Sequence, residues 1–163
     1  MRIETKTAEE TEALGRQVAQ VRPDSATLAV LYLTGELGAG KTTFARGALA
    51  ALGVAGPVRS PTFTLLDVHE LPRLTALHID LYRLRDPSEL EPLGLRDFAR
   101  PGTLWLIEWP EQGGGRLPPA DLILTFTVGA QSHQIELRPA SKLGKAWLGR
   151  LNLGGRGGGR AHA

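Results

Sequence analysis

The order of apolar and polar residues in the first third of the chain predicts a helix, a buried strand and a second helix. Apolar residues recur at helical spacing after Thr7, with Glu10 three positions on as in a capping box, so a helix is expected to end near Val21. The almost continuous apolar run at 28–33 is typical of a strand that is buried on both faces. A glycine-rich turn separates that strand from a helix predicted at 41–52.

The rest of the chain is predicted to form strands and two short helices. Short apolar segments bounded by turn-forming residues predict five more strands, at 58–68, 75–81, 103–109, 122–128 and 132–137. A hairpin turn at 71–73 joins the first two of these, and the glycine run 113–115 is expected to be a flexible loop. Asp86 begins a helix that Pro92 and Gly94 make short or broken, and Ser141 caps a last helix.

The alternation of helices and buried strands in the first half indicates an α/β fold. The hairpin and the closing pair of strands favour a mixed sheet over a purely parallel one. A chain of 163 residues fits one domain, which we assign to residues 1–151. Residues 152–163 are rich in glycine and arginine, and we expect them to form a disordered tail.

Composition excludes several kinds of site. The chain has no cysteine, so disulfides, thiolate zinc sites, iron–sulfur clusters and a cysteine nucleophile are ruled out. Its four histidines lack HxxxH spacing, so any metal is expected to be a hard ion with oxygen ligands. The chain has no apolar run long enough to cross a membrane, and its first residues lack the apolar core of a signal peptide. These features predict a cytoplasmic protein that does not bind membranes.

Charge is unevenly distributed along the chain. Six basic residues and no acidic ones follow Glu136, so the net charge of +2 leaves about −4 on the preceding part. Such a basic end is either a solvated tail or a contact for RNA phosphates or for an acidic partner surface. The sequence leaves both interpretations open.

A phosphate-binding loop lies between the first predicted buried strand and the helix that follows it. Residues 35–42 match the pattern GxxxxGK(S/T) at every fixed position, and a strand and a helix flank them as the pattern requires. The glycines let main-chain N–H groups approach phosphate oxygens, and the N-terminus of the helix adds positive charge. Lys41 is expected to neutralise the β- and γ-phosphate oxygens, and the Thr42 hydroxyl to bind Mg²⁺. The predicted nucleotide-binding residues in the loop are Gly35, Glu36, Leu37, Gly38, Ala39, Gly40, Lys41, Thr42 and Thr43.

This loop sharpens the expected fold and ligands. We expect a P-loop NTPase-like three-layer sandwich around a mixed, mostly parallel central sheet, with ATP and Mg²⁺ as ligands. A GTPase would need an NKxD-type motif, and the only asparagine, Asn152, is not part of one. A small P-loop kinase for a small-molecule acceptor is the alternative, although the segment 113–116 offers only one arginine for a lid.

Two acidic residues at strand ends are candidates for the metal site and for catalysis. Glu108 follows the apolar run 104–107, which is the Walker B pattern with Glu in place of Asp, and Asp80 ends a strand that His78 makes less plainly buried. The carboxyl ends of strands gather at one crevice of an α/β sheet, so both acids are expected to face it, a salt bridge being the alternative. The predicted catalytic residues are Lys41, Asp80 and Glu108, and the predicted metal ligands are Thr42, Asp80 and Glu108.

Two further features lie close to these acids in sequence. Ser60, Pro61 and Thr62 stand where many P-loop proteins have a nucleotide-sensing loop, so their hydroxyls are candidates to contact the metal or the γ-phosphate. A plain turn before a strand explains Pro61 equally well. Trp109 directly follows Glu108, and either core packing or contact with a partner would account for it.

Four sequence motifs resemble those of the TsaE family, formerly called YjeE, in the same order. They are GELGAGKTT at 35–43, SPTFTL at 60–65, HIDLYRL at 78–84 and IEWPE at 107–111. Members of this family are the ATPase component of bacterial threonylcarbamoyladenosine synthesis on tRNA. The resemblance covers about residues 5–137.

The resemblance implies partners and roles that the residues alone do not indicate. It implies that the protein binds a complex of TsaD and TsaB, meets tRNA indirectly through that complex, and hydrolyses ATP to support repeated turnover by TsaD. By position, Glu108 would join the metal shell, Asp80 would take part in hydrolysis, and Thr11 would lie near the adenine. Trp109 is implied to be a functional residue, and direct contact of the basic tail with tRNA stays open.

Overall fold

The computed structural model describes residues 1–24 and 26–153, and it contains one seven-stranded sheet. The strands are β1 (Arg2–Thr5), β2 (Ala29–Gly35), β3 (Leu66–Glu70), β4 (Thr75–Asp80), β5 (Thr103–Glu108), β6 (Leu122–Val128) and β7 (His133–Pro139). The α-helices are α1 (Ala8–Gln20), α2 (Lys41–Leu52) and α3 (Lys142–Gly149). Three 3₁₀ helices cover Pro87–Leu93, Leu95–Phe98 and Pro110–Arg116. Most of the predicted tail, residues 154–163, lies outside the described residues.

The sheet is mixed and its middle is parallel. Its strand order is β1-β7-β6-β2-β5-β4-β3. Strands β6, β2, β5 and β4 pair in parallel, whereas β1, β7 and β3 join in antiparallel fashion at the two sides. This arrangement confirms the predicted α/β class with a mixed, mostly parallel sheet. In the pairing of β4 with β5, Asp80 lies directly opposite Glu108.

The three α-helices cover one face of the sheet. Alternate residues of β2, such as Leu31 and Leu33, point to this side and pack with apolar side chains of the helices. Phe44 of α2 packs edge-on against Phe126 of β6, with 5.8 Å between ring centroids. Trp147 of α3 is buried, and its indole N–H donates to the main-chain oxygen of Val18 in α1 at 2.9 Å.

Short 3₁₀ helices cover the opposite face and complete the third layer. The other set of alternate strand residues, including Trp105 and Ile107 of β5, forms a second apolar cluster there. Leu90 and Leu95, from the first two 3₁₀ helices, are buried in that cluster. Covering layers on both faces explain why β2 and β5 are nearly continuous apolar runs in the sequence.

Helix ends follow the local signals in the sequence. The Thr7 hydroxyl accepts the main-chain N–H of Glu10 at 3.1 Å and begins α1. Gly53, at φ 105°, ends α2 in the left-handed conformation that glycine adopts without strain. The Ser141 hydroxyl caps α3 through the main-chain N–H of Gly144 at 2.9 Å. The predicted starts of all three α-helices are confirmed.

Three predictions about the chain path are wrong. The strand predicted at 58–68 begins only at Leu66, because Pro61 has no N–H for a sheet and Leu65 turns the backbone to φ 65°. The glycine run 113–115 is not a free loop but belongs to 3₁₀ structure with a kink at Gly114, whose φ of 58° and ψ of −141° are not helical. His78, taken as a sign of weaker burial, has no exposed surface at all.

Strand β1 was not predicted, because Arg2–Thr5 is short and mostly polar. In the described part of the chain it is an edge strand that pairs with β7, so its formation depends on residues more than a hundred positions away. Among the described residues, the structure has no helix that is both long and apolar enough to cross a membrane.

Two glycines let α1 and α2 approach until their backbones touch. A Cβ added at Gly47 would lie 2.0 Å from the main-chain oxygen of Glu12, and one at Gly15 would lie 2.1 Å from that of Phe44. Neither distance is compatible with a carbon–oxygen contact. The helices would therefore have to separate to accept any side chain at either position.

We expect Gly47→Ala to lower the free energy of unfolding by about 1–3 kcal/mol or more, because it forces two backbones apart. Gly149→Ala is the control, since Gly149 is also helical and a Cβ there would meet no atom within 4 Å. Urea unfolding followed by circular dichroism measures both. Equal stability of the two variants would contradict the close contact of α1 and α2.

Candidate functional site

The phosphate-binding loop connects the end of β2 to the start of α2, and two of its glycines are required by its shape. Gly35 has φ 130°, and a Cβ there would lie 2.1 Å from the main-chain oxygen of Phe126. Gly38 has φ 76°, and no atom lies within 4 Å of the place where its Cβ would stand. The loop is therefore held tightly against β6 at its first glycine and is open to a ligand at Gly38.

Lys41 is buried beside this loop and folds back over it. Its ammonium group donates to the main-chain oxygens of Gly35 and Glu36, each at 2.6 Å, and lies 4.3 Å from the ring centroid of Trp109. Burial lowers the pKa of the Lys41 ammonium, and neighbouring carboxylates, above all that of Glu108, oppose this shift. The loop thus holds a positive charge that only main-chain oxygens and an aromatic ring contact directly.

A chain of hydrogen bonds joins the loop to the ends of the central strands. The Thr42 hydroxyl donates to Glu108 Oε1 at 2.7 Å, and Glu108 Oε2 lies 2.7 Å from His78 Nε2. Glu108 ends β5 and His78 belongs to β4, so the chain crosses from α2 to two neighbouring strands. Both Glu108 and His78 are buried.

Asp80 is fixed at the end of β4 by two hydrogen bonds. The Ser60 hydroxyl donates to its Oδ2, and the main-chain N–H of Tyr82 donates to its Oδ1 at 2.9 Å. The main-chain N–H of Asp80 in turn donates to the oxygen of Leu65 at 3.0 Å. The segment 60–65 is therefore attached at both of its ends to the last residue of β4.

One cavity of about 500 Å³ brings most of the predicted site residues together. The predicted residues that line it are Thr11, Leu37, Gly38, Gly40, Lys41, Thr42, Thr43, Ser60, Thr62, Asp80 and Glu108. Five others do not line it: Gly35, Glu36, Ala39, Pro61 and Trp109. Of these, Gly35 and Glu36 hold Lys41 through their main-chain oxygens.

Thr11 lies at the side of the cavity away from the acids. It is buried in α1, its hydroxyl is 2.8 Å from that of Thr5, and its methyl group lies 3.5 Å from where a Cβ of Gly40 would stand. Residues Thr5, Lys6, Thr7 and Ala8 continue this wall, and the β6–β7 turn at 129–133 completes it. No local sequence signal predicts this wall, because the pairing of β1 with β7 brings its two halves together.

Trp109 occupies an unusual backbone conformation just after β5. It has φ 59°, which is uncommon for a residue other than glycine, and its main-chain N–H donates to the oxygen of Leu33 at 3.2 Å. Its ring lies against Lys41 and against Tyr82, with 5.0 Å between the two ring centroids. Trp109 therefore packs behind the loop lysine instead of facing the cavity.

No arginine is among the described residues that line the cavity. Arg83 lies over the ring of Phe63 at 4.8 Å, and Arg116 forms an ion pair with Glu91 on another part of the surface. Both side chains therefore have contacts outside the set of residues that line the cavity. The arginine that the segment 113–116 offers for a kinase lid thus contacts Glu91 instead of the cavity.

The donor set of the cavity fits a nucleotide phosphate with a magnesium ion. Residues 1–24 and 26–153 contain no group of three or more His, Asp or Glu side chains that would hold a metal by themselves. Mg²⁺ does not require such a group, because it is usually bound through one or two carboxylates together with substrate phosphates and waters. The Thr42 hydroxyl and the Glu108 carboxylate, hydrogen-bonded beside the open side of the loop at Gly38, offer ligands of that kind.

Sequence comparisons agree on one family. The family profile of the threonylcarbamoyl adenosine biosynthesis protein TsaE matches residues 5–137. The chain is 45% identical over 116 residues to the tRNA threonylcarbamoyladenosine biosynthesis protein TsaE of Haemophilus influenzae, covering 71% of this chain and 73% of that protein. It is 32% identical over 134 residues to the protein of the same name from Treponema pallidum, covering 82% and 96% of the two chains.

A solved structure has the same fold. The crystal structure of Bacillus subtilis YdiB superposes with a TM-score of 0.75 at 27% sequence identity, and the match covers 93% of each chain. The matched segment of the family profile begins at Thr5, beside the cavity, and ends in β7. From the profile match and the identities above, the chain belongs to the TsaE family.

Proposed function

We propose that this protein binds and hydrolyses ATP with Mg²⁺ as a component of the machinery that makes threonylcarbamoyladenosine in tRNA, acting with TsaD and TsaB. The single observation that carries the ATPase proposal is the hydrogen bond from Thr42 to Glu108. It joins the first turn after a phosphate-binding loop to an acid at the end of a central strand. The names of the relatives supply the tRNA pathway.

The loop residues would bind the phosphates through main-chain N–H groups and one ammonium group. The open side of the loop at Gly38 leaves space for phosphate oxygens, and the N-terminus of α2 adds its partial positive charge. Lys41 would exchange the main-chain oxygens of Gly35 and Glu36 for phosphate oxygens, which carry more negative charge. Thr11 and the wall it belongs to are the proposed contacts for the base.

Thr42, Glu108 and Asp80 are the proposed magnesium site. The ion, when bound, would neutralise charge on the phosphates and polarise the bond that is cleaved. The Thr42 hydroxyl faces Glu108 Oε1, and Asp80 stands opposite Glu108 on the neighbouring strand. Glu108 is assigned to the metal shell, and Asp80 to the placement of the attacking water.

The segment with Ser60, Pro61 and Thr62 is the proposed nucleotide-sensing loop. Ser60 donates to Asp80, and Thr62 faces the cavity. A γ-phosphate would therefore act on this segment directly at Thr62 and indirectly through Asp80. Loss of that phosphate after hydrolysis would release both contacts.

Slow hydrolysis by the isolated protein follows from the side chains around the cavity. An arginine that stabilises the transferred phosphoryl group can raise the rate by about 10³–10⁵-fold. The described lining residues include none, so a partner that supplies one would speed the reaction. We therefore propose that the rate of ATP hydrolysis depends on a partner. We also propose that residues 1–151 form a single domain and that the protein works in the cytoplasm.

Lys41→Ala is expected to weaken ATP binding by at least about tenfold, because the buried charge that faces the phosphates is lost. Lys145→Ala is the matched control, since Lys145 is exposed on α3. Isothermal titration calorimetry measures both affinities. An unchanged ATP affinity in Lys41→Ala would contradict the proposal that the loop binds phosphate.

Glu108→Ala is expected to keep metal-free ATP binding and to abolish phosphate release, because Glu108 contacts Thr42 and His78 but none of the loop N–H groups in the structure. Nucleotide affinity in EDTA and phosphate release with Mg²⁺ separate the two effects. Loss of metal-free binding equal to that in Lys41→Ala would contradict the role given to Glu108.

Phosphate release with different additions distinguishes the proposal from its alternative. Purified TsaD and TsaB are expected to raise ATP hydrolysis, whereas a panel of nucleosides and sugars is expected to leave it unchanged and to remain unphosphorylated. The ion pair of Arg116 with Glu91, away from the cavity, argues against a kinase lid. Phosphorylated acceptor without stimulation by the two proteins would favour the small-molecule kinase.

A further inference from the structure

His78 is a buried histidine in the middle of a central strand. It has no exposed surface, and its neighbours in β4 include Leu77 and Ile79, which are also fully buried. In the pairing with β5 its partner position is Leu106, another fully buried residue. A polar ring in such surroundings loses its contact with water, which is unfavourable unless a hydrogen bond replaces it.

One hydrogen bond accounts for the polar contacts of this ring. His78 Nε2 lies 2.7 Å from Glu108 Oε2, whereas Nδ1 has no hydrogen-bond partner among the described residues. A carboxylate that binds a metal ion can only accept hydrogen bonds, so in the proposed magnesium site Nε2 would be the donor of this contact. The ring is therefore hydrogen-bonded on one side only among the described residues, and that side faces Glu108.

Glu108 divides its two oxygens between two donors. Oε2 accepts from His78, and Oε1 accepts from the Thr42 hydroxyl at 2.7 Å. The two contacts fix the plane of the carboxylate, because rotation about its last bond would break both. With Oε2 held inside the sheet, Oε1 stays directed to Thr42 in the first turn of the helix that follows the phosphate loop.

We infer that His78 is a positioning residue that orients Glu108 for magnesium. This inference rests on the proposed function, in which Glu108 belongs to the metal shell. Partners of this kind, which hydrogen-bond a metal-binding side chain, typically change metal affinity by about 10–100-fold when removed. His78 itself is too deep in the sheet to touch the nucleotide, so its effect would reach the ion only through Glu108.

This role predicts an effect on metal affinity that is separate from nucleotide binding. His78→Leu removes the hydrogen-bond donor of the ring and places an apolar side chain at this buried position of the strand. His78→Gln retains an N–H donor at the distance of Nε2, whereas His78→Asn carries its donor nearer to the position of Nδ1. His69→Leu is the control, since His69 lies on the neighbouring strand β3 and its Nε2 also lacks a hydrogen-bond partner among the described groups.

The experiment measures binding of a fluorescent ADP analogue to the full chain, first in EDTA and then during a titration with Mg²⁺. In EDTA, His78→Leu is expected to bind within about twofold of the unchanged protein. Its half-saturating Mg²⁺ concentration is expected to rise by about 10–100-fold. His78→Gln should restore most of the loss, His78→Asn should not, and His69→Leu should behave as the unchanged protein does.

The outcomes separate the inference from the proposed function. If the unchanged protein does not bind the analogue, or binds it without any effect of Mg²⁺, the proposed magnesium site fails. If that protein responds to Mg²⁺ and His78→Leu responds identically, only the positioning role is overturned. Should His78→Leu melt too low to be measured, equal Mg²⁺ responses of the folded Gln and Asn variants would overturn it instead.

Discussion

The alignment of three parallel strands is the constraint on which the rest of this structure depends. Strands β2, β5 and β4 run side by side in one direction, so their carboxyl ends meet at one edge of the sheet. The phosphate loop leaves β2 there, Glu108 ends β5 and Asp80 ends β4. The loop and the two carboxylates lie close together because the strands that carry them end at the same edge of the sheet. Hydrogen bonds from Thr42, Ser60 and His78 then fix the carboxylates that the strands deliver.

Local chemistry made the centre of the site predictable from sequence. A glycine-rich loop with Lys-Thr at its exit, and acids after apolar runs, depend only on residues near one another in the chain. The same holds for the helix caps at Thr7 and Ser141. The hairpin and the closing strand pair predicted a mixed sheet, but they did not predict the order of the strands.

Long-range pairing explains what the sequence did not indicate. The cavity wall at Thr5 and residues 129–133 exists because β1 pairs with β7, and a short polar edge strand has no periodic signal of its own. His78 was read as a sign of exposure because a polar residue in a strand usually faces water; its partner Glu108 lies thirty positions later. The segment before β3 was misread because the apolar pattern continues through Pro61 and Leu65, where the backbone turns.

The two ends of the cavity differ in how firmly the chain builds them. The phosphate loop is attached to the inner strands of the sheet, whereas the wall beside Thr11 is attached to β1, a strand of four residues at the edge of the described sheet. Edge strands and chain ends open locally at much lower free-energy cost than the interior of a sheet does. Opening of this edge would displace the wall beside Thr11, which is the proposed contact for a base, while the phosphate loop at the end of β2 kept its conformation.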